Sequence, residues 1–192
     1  MRQLTYLVAC TVDGFVAAED GSIGAFLNDG GYFEELFEEY PETCPGHLRQ
    51  ALDVHGENRH FDTVLMGRNT YEAGLGIGVT NPYPTLEQYV FSTTMGESPH
   101  EDVTLVSEDA AGLIVGLKSE SGKNIWLAGG ATLAASLFSE GLVDELMLKV
   151  NPVVLGSGIP LFSGGTKKVD LDLEDSRMFA GGVALLRYRV KK

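Results

Sequence analysis

Twice in this chain an apolar, strand-like run stops at glycine and passes directly into a helical pattern. Asn124-Ile125-Trp126-Leu127-Ala128 ends at Gly129-Gly130; Leu133, Leu137 and Phe138 then share one helical stripe that Gly141 stops. The second run, Phe61 to Gly67, enters a helix near Asn69. Leu4 to Ala9 is likewise almost continuously apolar. Strands covered on both faces read this way, and strand-to-helix junctions of this kind build parallel sheets.

The remaining pattern fits that frame. Gln88 to Ser92 and Val103 to Val106 read as short strands, and Ala110 to Lys118 as a helix. Tyr32 to Tyr40 reads as an acidic helix with Leu36, Phe37 and Tyr40 on one side. His47 to Val54 is expected to form a second helix that buries Leu48, Ala51 and Leu52. Residues 26–60 are otherwise the least periodic part of the chain. Leu146 to Val150, Val153 to Leu155 and Val183 to Val190 give a strand-rich end. Helices alternating with strands, then strands in succession, predict an α/β fold. Its mostly parallel, mixed central sheet is flanked by helices and carries antiparallel C-terminal strands. There is no repeat or linker, so residues 1–192 read as a single domain.

Charge narrows the function. Lys and Arg number 14 against 27 Asp and Glu, a net charge of −13. That field repels phosphate backbones and anionic membranes, so neither nucleic acid nor membrane is an expected partner. No apolar run reaches the ~18 residues that span a bilayer. Cys10 and Cys44 are too few for a disulfide framework and lack metal-site spacing, which suits the cytoplasm. The four histidines have no partners at metal-binding spacing, so no metal is expected. No serine occupies a Gly-x-Ser-x-Gly elbow. Gly74-x-Gly76-x-Gly78 follows a helix rather than a strand and lacks the context of a dinucleotide fingerprint.

The two glycine junctions carry the chemistry. Gly129-Gly130-Ala131-Thr132 either cradles a phosphate against free helix N–H groups or simply makes a tight turn. At Met66-Gly67-Arg68-Asn69-Thr70, Arg68 either pairs with a phosphate or is solvated or carboxylate-paired. Thr70 either donates its hydroxyl to a ligand or caps the helix. Two such junctions suit a dinucleotide, and Ser92-Thr93-Thr94 adds hydroxyls at another strand end, where open α/β sheets bind ligands.

These blocks resemble the dihydrofolate reductase superfamily, in the branch that contains the reductase domain of riboflavin biosynthesis. Leu7-Val8-Ala9 with Thr11-Val12-Asp13-Gly14-Phe15-Val16-Ala17 is similar to the family's opening strand and loop. Val64 to Glu72 and Ile125 to Leu133 are similar to its two strand-to-helix signatures. Leu142 to Leu146 with Pro152 to Gly158 is typical of the riboflavin branch.

The resemblance implies a dihydrofolate reductase-like fold with an eight-stranded sheet, and an oxidoreductase that uses NADPH. Hydride would pass to a small heterocyclic, pterin- or pyrimidine-like substrate; the alternative is a non-catalytic nucleotide-binding protein of the same fold. Carried over by motif, Ala9 would lie beside the nicotinamide. Gly67, Arg68, Asn69 and Thr70 would hold phosphate and ribose, with Arg68 at the adenosine 2′-phosphate and Ser92 and Thr93 nearby. Gly129, Gly130, Ala131 and Thr132 would take the pyrophosphate, with a cis bond between the two glycines. Asp13 either faces the substrate as the catalytic carboxylate or is a turn residue before Gly14. Relatives of this branch also imply a homodimer through the C-terminal region around Pro152 to Phe162.

Overall fold

The computed structural model describes residues 1–26 and 31–192. Residues 27–30, in the irregular stretch, lie outside the described residues. In chain order the elements are β1 (Leu4–Thr11), β2 (Phe15–Ala17), α1 (Tyr32–Glu39), α2 (Gly46–Arg49), β3 (Phe61–Gly67), α3 (Arg68–Leu75), β4 (Glu87–Phe91) and β5 (Val103–Val106). They continue with α4 (Ala110–Ser119), β6 (Asn124–Gly129), α5 (Ala131–Ser139), β7 (Glu145–Asn151), β8 (Ile159–Pro160), β9 (Leu171–Met178) and β10 (Ala184–Val190).

Eight strands form one sheet in the order β5-β4-β3-β6-β1-β7-β10-β9, and β2 pairs with β8 apart from it. Every neighbouring pair from β5 to β7 is parallel; only β10 runs against the rest. The carboxyl ends of β1, β3, β4 and β6 therefore lie along one sheet edge, where ligands bind in folds of this class.

Strand alternation divides the core into two layers. One face of the sheet buries Leu7, Val64, Met66, Trp126, Met147 and Leu185 against Tyr32, Leu36 and Phe37 of α1 and Tyr71 of α3. The other buries Leu4, Tyr6, Leu65, Ile125 and Leu127 against Ile114 of α4 and Leu137 and Phe138 of α5. The Trp126 indole N–H donates to the Leu7 carbonyl at 2.9 Å, so its polar atom is satisfied inside the layer. Both cysteines are free and buried, and burial pushes each thiol up to about 11, leaving them inert core residues.

The aperiodic stretch is anchored by a buried carboxylate. Glu42 accepts the backbone amides of Arg59, His60 and Phe61, at 3.1, 2.7 and 2.8 Å. Those bonds fix the chain at the point where it enters β3.

Two local expectations are corrected, and one strand is added. The helix expected over His47 to Val54 is only the four-residue α2; Leu48 and Leu52 remain 39% and 37% exposed and Ala51 is exposed. Arg49 closes this segment on itself, donating to the carbonyls of Pro41 and Gly56, so no apolar face has to be buried. Val153 to Leu155 is not a strand, because the Val153 amide turns back onto the Asn151 carbonyl at 2.7 Å. Conversely, Leu171–Met178 is a strand that carries no apolar alternation; pairing with β10 holds it in place. No helix among the described residues is long and apolar enough to cross a membrane.

Candidate cofactor and substrate site

β3 and β6 are neighbours, so the two glycine junctions emerge side by side. A Cβ placed on Gly67 would lie 2.9 Å from the Gly130 nitrogen. The Gly129–Gly130 peptide bond is cis, and Gly129 has φ of 138°, a conformation glycine tolerates best. Thr70 lies against this junction, and its own helix has no side-chain cap. Its Oγ1 would be 3.2 Å from a Cβ on Gly129 and 3.4 Å from one on Gly130.

The helices that leave the junctions begin without side-chain caps. α3 starts after Gly67 and α5 after Gly130, and neither N-cap position offers a side-chain acceptor to the first amides. Two sets of unpaired N–H groups and two positive dipole ends thus converge beside bare glycine backbone. An anion that approaches here meets no side chain at Gly67, Gly129 or Gly130. The arrangement fits the phosphates of a dinucleotide.

Arg68 and Asn69 are exposed in the first turn of α3, as is Thr132 in α5, whereas Ala131 is buried. Arg68 donates to Thr94 Oγ1 at 2.7 Å and has Glu72 at 3.5 Å. Both sequence alternatives for Arg68 therefore meet in one residue: it is carboxylate-paired, loosely, at a place open to a ligand. Of the Ser92-Thr93-Thr94 cluster, Thr94 is the hydroxyl that orients the guanidinium. Ser92 is buried, and its Oγ accepts the amides of Thr94 and Met95 at 3.3 and 3.0 Å. It shapes the turn that presents Thr94. Thr93 is exposed beside it and makes no side-chain hydrogen bond among the described residues.

Ala9 lies where the sheet opens. β1 pairs with β6 only as far as Tyr6↔Leu127 but with β7 as far as Thr11↔Asn151. Odd-numbered residues of β1 turn their backbone groups toward β6: Gln3 accepts the Ile125 amide there, and Leu7 accepts the Trp126 indole. By the same alternation the N–H and C=O of Ala9 point toward β6 past the end of the ladder.

Asp13 is a loop strap. It accepts the Thr11 hydroxyl at 2.6 Å and the amides of Leu155 and Gly156 at 3.2 and 2.8 Å. The Thr11 bond, with help from those amides, holds its carboxyl below the usual carboxylate value. Both oxygens thus tie the loop after β1 to the loop after β7, and β2–β8 pairing reinforces the tie. The turn reading of Asp13 describes these hydrogen bonds.

One group on the opposite side of Ala9 escaped the sequence reading. Lys149 of β7 is the register partner of Ala9 and shares its face of the sheet. A single lysine in an apolar strand gave no motif to find it by.

The comparisons with known proteins agree with this architecture. The family model described as the RibD C-terminal domain matches residues 2–185. The Bacillus subtilis (strain 168) protein YwjB, itself uncharacterised, is 34% identical over 184 residues, which is 96% of each chain. A solved Shewanella sp. PV-4 structure, provisionally assigned to riboflavin biosynthesis, superposes with a TM-score of 0.73 at 24% identity, with full coverage of both chains. Enterococcus faecalis dihydrofolate reductase, solved with NADP(H), superposes with a TM-score of 0.61 at 16% identity, covering 99% of this chain and 97% of that one. The fold is thus dihydrofolate reductase-like.

Proposed function

We propose, from the premise that this chain belongs to the RibD C-terminal domain family, that it is an NADPH-dependent reductase of a small heterocyclic, pterin- or pyrimidine-like substrate. The observation that carries the reading is the convergence of two uncapped helix starts on the Gly67/Gly129-Gly130 backbone. NADPH, when bound, supplies hydride.

The chain's own residues do the rest. The first amides of α5, from Ala131 and Thr132, take the pyrophosphate at Gly129-Gly130. The start of α3, with Asn69 and Thr70, takes the adenosine side. Arg68, steadied by Thr94, pairs with the 2′-phosphate and so favours NADPH over NADH. Thr93 adds a neutral donor at that end. The open backbone groups of Ala9 orient the nicotinamide at the sheet's central strand. The Asp13 strap holds the loops that border this end of β1 and β7. With two buried free thiols and an acidic surface, the protein suits a reducing, cytoplasmic compartment.

The test is a reduction assay over a panel of pterins, flavin precursors and quinones that follows loss of NADPH absorbance. Turnover of a panel member supports the reading. NADPH binding without turnover across the panel would instead mark a non-catalytic nucleotide-binding protein.

A further inference from the structure

We propose that Lys149 is the catalytic acid of this site, its ammonium giving a proton to the heteroatom of the C=N or C=O bond whose carbon receives hydride. The inference rests on the cofactor reading above and adds to it the group that completes the reduction.

Three observations place Lys149 in this role. It sits between Ala9 of β1 and Leu185 of β10 in the sheet register, on the face that carries Leu7, Met147 and α1. Its register partner Ala9 lies past Tyr6, the last residue of β1 that is paired with β6. Its Nζ makes no hydrogen bond and no ion pair among the described residues. In a chain with a net charge of −13, a half-buried ammonium left without a carboxylate is an exception. Lys118 of α4 shows the usual alternative: it bonds Asp144 and the Leu142 carbonyl.

The charged neighbours on that face are already matched to one another. Glu145 of β7 is held by Arg187 of β10 and by the Thr5 hydroxyl of β1. Arg177 of β9 is paired with Glu35 of α1. Asp175 of β9, the phenols of Tyr32 and Tyr40 in and just after α1, Glu39 beside Tyr40, and the core Cys44, Tyr71 and Tyr83 are further titratable groups on that side. Desolvation is what acts on the lysine, and it lowers the Lys149 ammonium to about 8. An acid of that strength is charged at neutral pH and gives up its proton readily.

The step balances. The substrate's C=X carbon gains hydride from the reduced nicotinamide, its X atom gains the proton from Lys149 Nζ, and the neutral amine is reprotonated from solvent. The products are the CH–XH compound and NADP+.

NADP+ and NADPH themselves are the probes, because the oxidised nicotinamide ring is positive and the reduced ring is neutral. A lysine ammonium beside the ring repels only the former. We expect NADP+ affinity, relative to NADPH, to rise on the order of tenfold from pH 6.5 to 9 as Lys149 loses its proton. Taking the ratio cancels titration of the 2′-phosphate, which both nucleotides carry. Calorimetric titrations across that range measure it on the parent protein. Lys149→Met should hold the ratio at its high-pH value throughout, and Lys149→Arg should hold it at the low-pH value. On a panel substrate, Lys149→Arg should lose activity as Lys149→Met does, since guanidinium keeps its proton. A flat ratio in the parent, with both nucleotides bound, overturns the role of Lys149 and leaves the cofactor reading intact. Failure of both nucleotides to bind overturns the cofactor reading, and this inference with it. Full activity in Lys149→Arg would show a charge that binds, and would overturn proton donation.

Discussion

The nitrogen of Gly130 lies 2.9 Å from where a Cβ on Gly67 would be. Backbone that close cannot give way as a flexible side chain can. Gly67→Ala must push the β3 and β6 ends apart, on the scale of an overpacked core, about 1–3 kcal/mol. The melting temperature should fall and NADPH binding should be lost while the helical and strand content by circular dichroism stays. A variant as stable as the parent, with unchanged affinity, would mean that the junction has slack.

Arg68 is shared between a prospective phosphate and Glu72. An exposed i, i+4 pair contributes about 0.3–0.5 kcal/mol, less than a charged hydrogen bond to phosphate at ~1.5–3 kcal/mol, so the nucleotide should win. Glu72→Gln removes the competitor and one negative charge. It should tighten NADPH about twofold at low salt and leave NADH almost unchanged, on the scale of one exposed ion pair. Parallel tightening of both nucleotides would assign the effect to general charge.

Asp13→Asn tests a strap against a catalytic carboxylate. The strap reading expects faster proteolytic nicking of 152–162 and a lower melting temperature at pH 7, with NADPH affinity retained. The native carboxyl is held below its unfolded value, so its contribution is present above an unfolded pKa of about 3.9 and is lost as pH falls through the native value. The melting difference between parent and variant should therefore shrink on acidification below about pH 4. Loss of all turnover in a variant with intact stability would restore Asp13 to the chemistry.

For assembly, we expect a two-fold homodimer through the C-terminal region. The segment around Pro152 to Phe162 is partly covered by β2, whereas β9 forms an open sheet edge on which Leu173 and Met178 are 57% and 67% exposed. Such an edge is stable when paired or covered. Sedimentation at micromolar concentration should find a dimer, and Leu173→Lys should weaken it. A parent monomer at that concentration contradicts the expectation.

The sequence made most of the parallel core legible because buried strands and amphipathic helices leave unambiguous periods. Phe61–Gly67 and Val103–Val106 fall where the apolar runs put them. β9 was invisible for the opposite reason: nearly every residue is exposed, so only its hydrogen bonds to β10 define it. At the site, the glycine junctions were legible because only glycine permits that approach. Glu42, which acts through amides distant in sequence, and Lys149, a lone lysine in an apolar strand, were not, because neither belongs to a local pattern.

The central claim is that the Gly67 and Gly129-Gly130 junctions bind NADPH and that Arg68 reads its 2′-phosphate. Calorimetric titration of NADPH and NADH against the parent and Arg68→Ala tests it most directly. The account predicts one NADPH per chain, bound more tightly than NADH. Arg68→Ala should weaken NADPH by about 2 kcal/mol, the scale of a lost charged hydrogen bond, and barely change NADH. Absence of NADPH binding, equal affinities in the parent, or equal losses in the variant would contradict it.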